Sequence, residues 1–159
     1  MDIAALRFTW VPFAGLDAGT LYDVLRFRQD IFIVEQDSAY PDLDGLDQDC
    51  QHLLVTAPDG SLAAYLRARG PWAGQPGFIG RIVVGAPWRG TGLGRRLVAA
   101  GLDFMAQHYP DAPLRIGAQQ HLEKFYAGFG FVTVGAPYND GGIPHVTMWL
   151  GGRPADFQG

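Results

Sequence analysis

The chain has 159 residues, 48% hydrophobic and 18% charged, with a formal net charge of −4 and a pI near 5.4. This balance predicts one soluble globular domain, residues 1–159, and speaks against nucleic-acid binding, which needs a basic surface. The single cysteine, Cys50, excludes an internal disulfide framework and cysteine-based zinc sites. No apolar run approaches the roughly 18 residues of a membrane span, and with no leader-like start the expected location is cytoplasmic.

In chain order, residues 5–13 alternate as a first strand that Pro12 and Gly15 end. Thr20 is the expected N-cap of a helix in which Leu21, Val24, Leu25, Arg28, Ile31 and Phe32 recur at helical spacing towards Glu35. Residues 36–50 read as an acidic loop carrying Asp37, Asp42, Asp44, Asp47 and Asp49, broken by Pro41 and Gly45. Residues 52–57 and 62–68 are predicted strands joined by Pro58-Asp59-Gly60-Ser61, a strong hairpin signal. A further turn leads to a strand at 79–84 and completes a three-stranded antiparallel meander.

The next stretch organises the chain. The β-branched run Ile82-Val83-Val84 reads as a buried strand, and Gly85-Ala86-Pro87 as a turn. Gly90, Gly92 and Gly94 then precede a helix with Leu93, Leu97, Gly101 and Phe104 on one face, ending near His108. The first N–H groups of a helix have no internal partner, and the macrodipole places positive charge there. Glycines let a ligand approach that backbone closely. The result is an anion cradle suited to phosphate or pyrophosphate, with Arg89, Arg95 and Arg96 adding charge. Arg95 and Arg96 stand where a Walker A loop needs Lys-Ser/Thr, and no frame supplies the dinucleotide pattern G-x-G-x-x-G. Residues 114–116 form a short predicted strand. Residues 121–129 form a helix with Leu122, Phe125, Tyr126 and Phe129 on one face, stopped by Gly130, and 131–134 and 146–150 are the last strands.

Arg89 to Gly94 spells R-x-x-G-x-G at a strand-to-helix junction, which resembles the coenzyme A pyrophosphate loop of the GCN5-related N-acetyltransferases, the GNAT superfamily. F-Y-A-G-F-G-F, Phe125 to Phe131, is similar to that family's Y-x-x-x-G-F segment, with Tyr126 in the place of its catalytic tyrosine. F-I-V-E-Q, Y-P-D-L-D-G, G-A-Q-Q-H-L and D-G-G-I-P-H resemble the ElaA-like branch, so the likeness covers roughly residues 20–150. It implies an α/β (α+β) single-domain fold: a mixed, mostly antiparallel central sheet, splayed at the cofactor site and flanked by helices. The usual second N-terminal helix is reduced here to the acidic loop.

The resemblance also implies acetyl-CoA as co-substrate and an acetyltransferase acting on a small-molecule or protein amine, with no nucleic acid or membrane involved. The pyrophosphate would sit on Arg89, Gly90, Thr91, Gly92, Leu93, Gly94 and Arg95. The pantetheine would pair with the edge of Ile82, Val83 and Val84, and a backbone N–H of Val83 or Val84 would hold the oxyanion. Gln119 replaces the Asn that many members carry for the pantetheine. Thiols ionise near 8.5 and tyrosine near 10, so Tyr126 is protonated at neutral pH and suits the role of acid for the leaving thiolate. The amine must also lose a proton. Glu35, through a water chain, is the first expectation for that base, beside His121, His145 and Asp44.

Asp42 and Asp44 are expected to attract a cationic amine, with His145 near the acceptor; the plainer alternative is a solvated loop or Asx turns. No metal is expected. An EF-hand frame with Gly45 at position six puts Tyr40 at one and Gln51 at twelve, and His52 with Asp47 or Asp49 lacks zinc-like partners. Two rival functions are a non-catalytic acyl-CoA sensor and another acyl transfer, such as acyl-homoserine-lactone synthesis.

Overall fold

Four strands follow the predicted hairpins in the computed structural model: β1 (Arg7–Pro12), β2 (Gln51–Thr56), β3 (Leu62–Arg69) and β4 (Phe78–Val84), paired antiparallel in chain order. The first strand thus joins the meander at its edge. The structure describes residues 1–157, so the last two residues of the expected domain lie outside the described residues. Side chains alternate across a strand, and here both faces are covered. Leu53, Val55, Leu66 and Ile79 pack towards α2 (Leu93–His108), while Leu54, Tyr65 and Val83 pack with Val24, Ile31 and Phe32. Leu93, Leu97, Gly101 and Met105 make the buried stripe of α2. Gly101 permits the approach, because a Cβ there would stand 3.0 Å from Leu66 Cδ2.

The N-cap of α1 (Ala18–Arg28) is Asp17 rather than Thr20: the Asp17 carboxylate accepts the Thr20 N–H at 2.7 Å. Beyond Arg28 the chain widens into a π-helical segment, Gln29–Glu35, in which the Gln36 N–H donates to Ile31 O at 3.1 Å.

A second sheet holds β5 (Leu114–Gln119), β6 (Val132–Thr133), β7 (Tyr138–Asp140) and β8 (Ile143–Leu150), with β8 between β5 and β6 and β7 also on β8. β7 was not expected. It exists because Gly141 and Gly142 both take positive φ (61° and 83°) between the paired Asp140 and Ile143, a two-residue turn matched to the twist of a hairpin. The predicted helix at 121–129 is shorter, a 3₁₀ turn at Gln120–Leu122 followed by α3 (Glu123–Ala127).

The two sheets meet at one point. Gly77 and Leu114 form a parallel bridge, with the Arg115 N–H donating to Gly77 O at 3.1 Å. From there β4 and β5 diverge. On β4 the register moves from Arg67↔Gly80 to Tyr65↔Val83, so the single Leu66 of β3 faces both Arg81 and Ile82. That is a β-bulge, with Arg81 in the left-handed region at φ 49°. A bulge bends and twists its strand, and this one lies where β4 leaves β5.

Candidate active site

The divergence of β4 and β5 opens a cleft of about 780 Å³, lined by Ile82 and Val84 on one wall and Ile116 to Gln119 on the other. Gly94, Arg89 and Tyr126 also border it, as do Tyr40, Trp72, Phe78, Tyr138 and His145.

Antiparallel alternation decides which main-chain groups of β4 face it. The Gly85 N–H donates to Ala63 O at 2.8 Å and so points at β3. Val84 therefore points away from β3, Val83 towards it, and Ile82 away again. Val84 O accepts from Arg89 Nε at 3.3 Å, which agrees. The expected pairing edge is thus presented by Ile82 and Val84. Val83 is corrected as an oxyanion donor, because its N–H faces β3.

Past Val84 the chain reaches the N-terminus of α2. Gly90 and the N-cap Gly92 have φ of 74° and 86°, a conformation that disfavours any Cβ. Thr91 Oγ1 donates to Trp88 O at 2.5 Å and accepts from the Leu93 N–H at 3.4 Å, holding the loop in shape. The Leu93 side chain is buried in the core, so only its backbone faces the loop. Gly94 and Arg95 follow within the first turn, whose N–H groups have no helical partner, and the turn carries no acid. Arg95 is exposed there. Arg96 turns aside, donating to Ile3 O at 3.1 Å and lying over the Phe8 ring.

Tyr126, on α3, is 6% exposed, and its hydroxyl has no hydrogen-bond partner among the described residues. Burial pushes its pKa up to about 12. Gln119 Nε2 donates to Gln36 Oε1 at 3.0 Å, tying β5 to the segment after the π-helical turn. His121 lies exposed at the rim. His145 Nδ1 lies 2.7 Å from Ile143 O. A carbonyl only accepts, so Nδ1 carries a proton, and in the neutral ring Nε2 is the nitrogen with the lone pair.

Two expectations change. Arg89 grips Glu35 with both terminal nitrogens, Nη2 reaching Oε2 at 3.0 Å. Those hydrogen bonds hold the Glu35 carboxyl below its ordinary range, the wrong direction for a base at neutral pH. Asp42 and Asp44 are likewise engaged. Arg28, fully buried at the end of α1, donates to Asp42 Oδ2 (3.0 Å), Asp42 O (3.0 Å) and Asp47 Oδ1 (2.8 Å). Arg67 donates to Asp44 Oδ1 and Oδ2 (2.8 and 2.5 Å) and to Asp47 Oδ1 (2.8 Å). Arg81 Nη2 donates to Asp42 O (2.9 Å) and reaches Asp44 Oδ2 (3.3 Å). Three arginines thus balance three aspartates. The expected recruitment of an amine by Asp42 and Asp44 is corrected accordingly, since no carboxylate of this group is left for an amine.

Sequence reasoning missed Arg28, Arg67 and Arg81 as a set. The signal was there, because Arg28 falls on the apolar stripe of its helix and Arg67 within a buried strand. Such arginines are rarely buried without acidic partners. Among the described residues no cluster of three or more His, Cys, Asp or Glu is placed to hold a metal, and no helix is long and apolar enough to cross a membrane.

A family model for the acetyltransferase (GNAT) domain matches residues 32–151. A UPF0039 protein of Synechocystis is 40% identical over 144 residues, 90% of this chain and 94% of that one. The ElaA protein of Escherichia coli is 39% identical over 136 residues, 84% of this chain and 88% of its own. The crystal structure of E. coli ElaA aligns with a TM-score of 0.84 at 35% identity, covering 91% of this chain and 98% of that one. An acyl-CoA N-acyltransferase from Pseudomonas aeruginosa gives a TM-score of 0.85 at 37% identity, with coverage of 91% and 98%.

Proposed function

Because the chain belongs to the GNAT acetyltransferase family, in its ElaA-like branch, we propose that it moves the acetyl group of acetyl-CoA directly to a primary amine. One observation carries the reading: Tyr126, whose ring is buried and whose hydroxyl has no partner among the described residues, borders the same slot as the free main-chain edge at Ile82 and Val84. The pyrophosphate fits the N–H groups from Gly92 to Arg95, where left-handed glycines and the absence of acids favour an anion. The pantetheine amides add to Ile82 and Val84 as an extra strand would.

The amine lone pair attacks the thioester carbonyl carbon, and the C=O electrons move to oxygen, which the Val84 N–H stabilises. The C–S bond then breaks with its electrons on sulfur, and Tyr126 gives its proton there. Burial keeps Tyr126 protonated until the thiolate forms, and although it weakens the phenol as an acid, the same burial disfavours a bare thiolate in the slot and so drives the proton onto sulfur. The proton lost by the amine goes to His145 Nε2, the lone pair left open by the Nδ1–Ile143 hydrogen bond. Tyr126 also favours a catalyst over an acyl-CoA sensor, which has no use for a hydroxyl held at the slot without a protein partner.

The test is an amine screen with acetyl-CoA that reads thiol release, followed by Tyr126→Phe. The variant should bind CoA as before while turnover falls about 10²–10⁴-fold, the range for a positioned acid. Wild-type turnover in the variant overturns the role of Tyr126. An acyl-chain series in the same assay separates acetyl transfer from long-chain acyl transfer.

A further inference from the structure

We propose that Arg81 is a positioning residue for the thioester: clamped by Asp42 and Asp44, it holds the left-handed backbone of the β4 bulge, and the bulge aims the Ile82 and Val84 main chain into the slot. The proposal rests on reading that slot as the acyl-CoA site.

A residue with a Cβ resists the left-handed region, and Arg81 is the residue at φ 49° within the bulge. Glycine would take that angle without the Cβ penalty. Here the side chain supplies the constraint. Arg81 Nη2 donates to Asp42 O at 2.9 Å and lies 3.3 Å from Asp44 Oδ2. Its Nε sits 2.8 Å from Asp42 Oδ1, close enough for attraction although out of line for a hydrogen bond. The guanidinium also lies over the Tyr40 ring, at 5.6 Å from its centre.

The anchor is itself held on several sides. Asp42 is buried, gripped through carboxylate and carbonyl by Arg28 and through Oδ1 by the Tyr40 hydroxyl at 3.2 Å. A chain of contacts therefore runs from the end of α1 through Arg28, Asp42 and Arg81 to the one place where β4 changes register. Without the extra residue there, the alternation of β4 would continue unbroken from Phe78 and Gly80, which face β3. Ile82 and Val84 would then face β3 as well, and the groups offered to the slot would be the wrong ones. Strain of this kind is kept where the surroundings over-determine it, and such places cluster at functional sites.

The experiment compares Arg81→Gly, Arg81→Ala and Arg81→Val. Calorimetry reads the dissociation constant for acetyl-CoA, the amide resonances of Ile82 and Val84 are recorded without ligand, and kcat and KM follow with an amine from the screen. Ala should weaken acetyl-CoA binding by roughly 5–30-fold, the population shift expected when the left-handed angle loses its clamp. Val should be at least as poor, while Gly recovers most of the loss and keeps the wild-type amide positions. An arginine that touched the cofactor, or merely balanced charge, would be missed as much in Gly as in Ala. Equal losses in those two, at matched melting temperatures, overturn the proposal. If the wild type binds no acetyl-CoA, the functional reading fails, and the amide resonances still decide the clamp. Resonances displaced alike in Gly and Ala refute it; resonances preserved in Gly alone support it.

Discussion

Guanidinium meets carboxylate in two places around the slot. In the network of Arg28, Arg67 and Arg81 with Asp42, Asp44 and Asp47, Arg28 is fully buried and each aspartate serves two arginines. In the pair Glu35–Arg89, both side chains are 44% exposed and each has the other as its ion-pair partner. Chemistry is the same, but solvent access differs, and that decides what each can do. A buried network holds its geometry because releasing one member leaves a charge stranded away from water. An exposed pair can open at little cost, since water replaces the lost contact. The network therefore suits a frame that fixes the bulge and the loop. The pair suits a site where Arg89 must be free to turn towards an incoming pyrophosphate.

The sharpest way to break this contrast is Arg28→Ala. Removing one partner from a buried pair costs about 3–5 kcal/mol, which in a chain of this size lowers Tm by roughly 6–20 °C. A thermal melt of the purified variant checks it, and a shift of only a degree or two would show that the network is not the frame.

Acid should attack the network next. Burial alone would raise the Asp44 carboxyl, but the hydrogen bonds from Arg67 outweigh it and hold Asp44 well below the ordinary carboxylate range. Asp47 moves in the same direction, its burial outweighed by Arg28 and Arg67. A depressed carboxylate contributes stability above its unfolded pKa of about 3.9 and loses it as pH falls towards the folded value. Stability should therefore be level from pH 7 to about 5 in this respect and decline below about 4. Urea titrations at stepped pH measure this, with the Asp44→Asn variant showing a flatter decline.

Ligand binding sharpens the cradle side of the comparison. Acetyl-CoA at about 100 times its Kd should add roughly 2.7 kcal/mol of stability. Gly92→Asp should abolish that gain, because it places a side chain and a negative charge at a left-handed N-cap. The check is a melt with and without millimolar acetyl-CoA in both proteins.

The smallest effect belongs to the exposed pair. Glu35→Gln should change stability by at most about 1 kcal/mol, and less as salt screens the surface. Turnover should stay close to wild type, because Arg89 holds that carboxylate ionised and His145 has the open lone pair. Titrating kcat/KM against pH in Glu35→Gln and His145→Gln separates the two: a loss of about 10²-fold or more in the Glu35 variant would return it to the role of base.

How much of this could be read in advance follows from the range of the interactions. The hairpins, the buried strand before the glycines, the helix behind them and the place of Tyr126 depend on periodicity and on spacings of a few residues, so they stand in the sequence as local patterns. Even Asp17 in place of Thr20 is a local error, three positions along one turn. The π-helical turn and β7 lay closer to the limit, since two glycines at Gly141 and Gly142 fit a loop as well as a hairpin until Ser38 and β8 pack around them.

The acidic loop shows where local reading ends. Asp42 and Asp44 looked like solvent-facing charges because nothing within ten residues neutralises them; their partners are Arg28, Arg67 and Arg81, 14 to 39 positions away. Which carboxylate stays free is a property of side chains meeting across the fold. Which way the Val83 N–H points depends on one extra residue at Arg81 in the β3–β4 register. The sequence alone determined the elements, the glycine cradle and the residue types that chemistry needs, because those are written at the spacing of helix and strand. The tertiary structure alone decided which charges cancel, which amides face the slot and which ring nitrogen of His145 is held, because burial and hydrogen-bond direction exist only once distant segments are packed together.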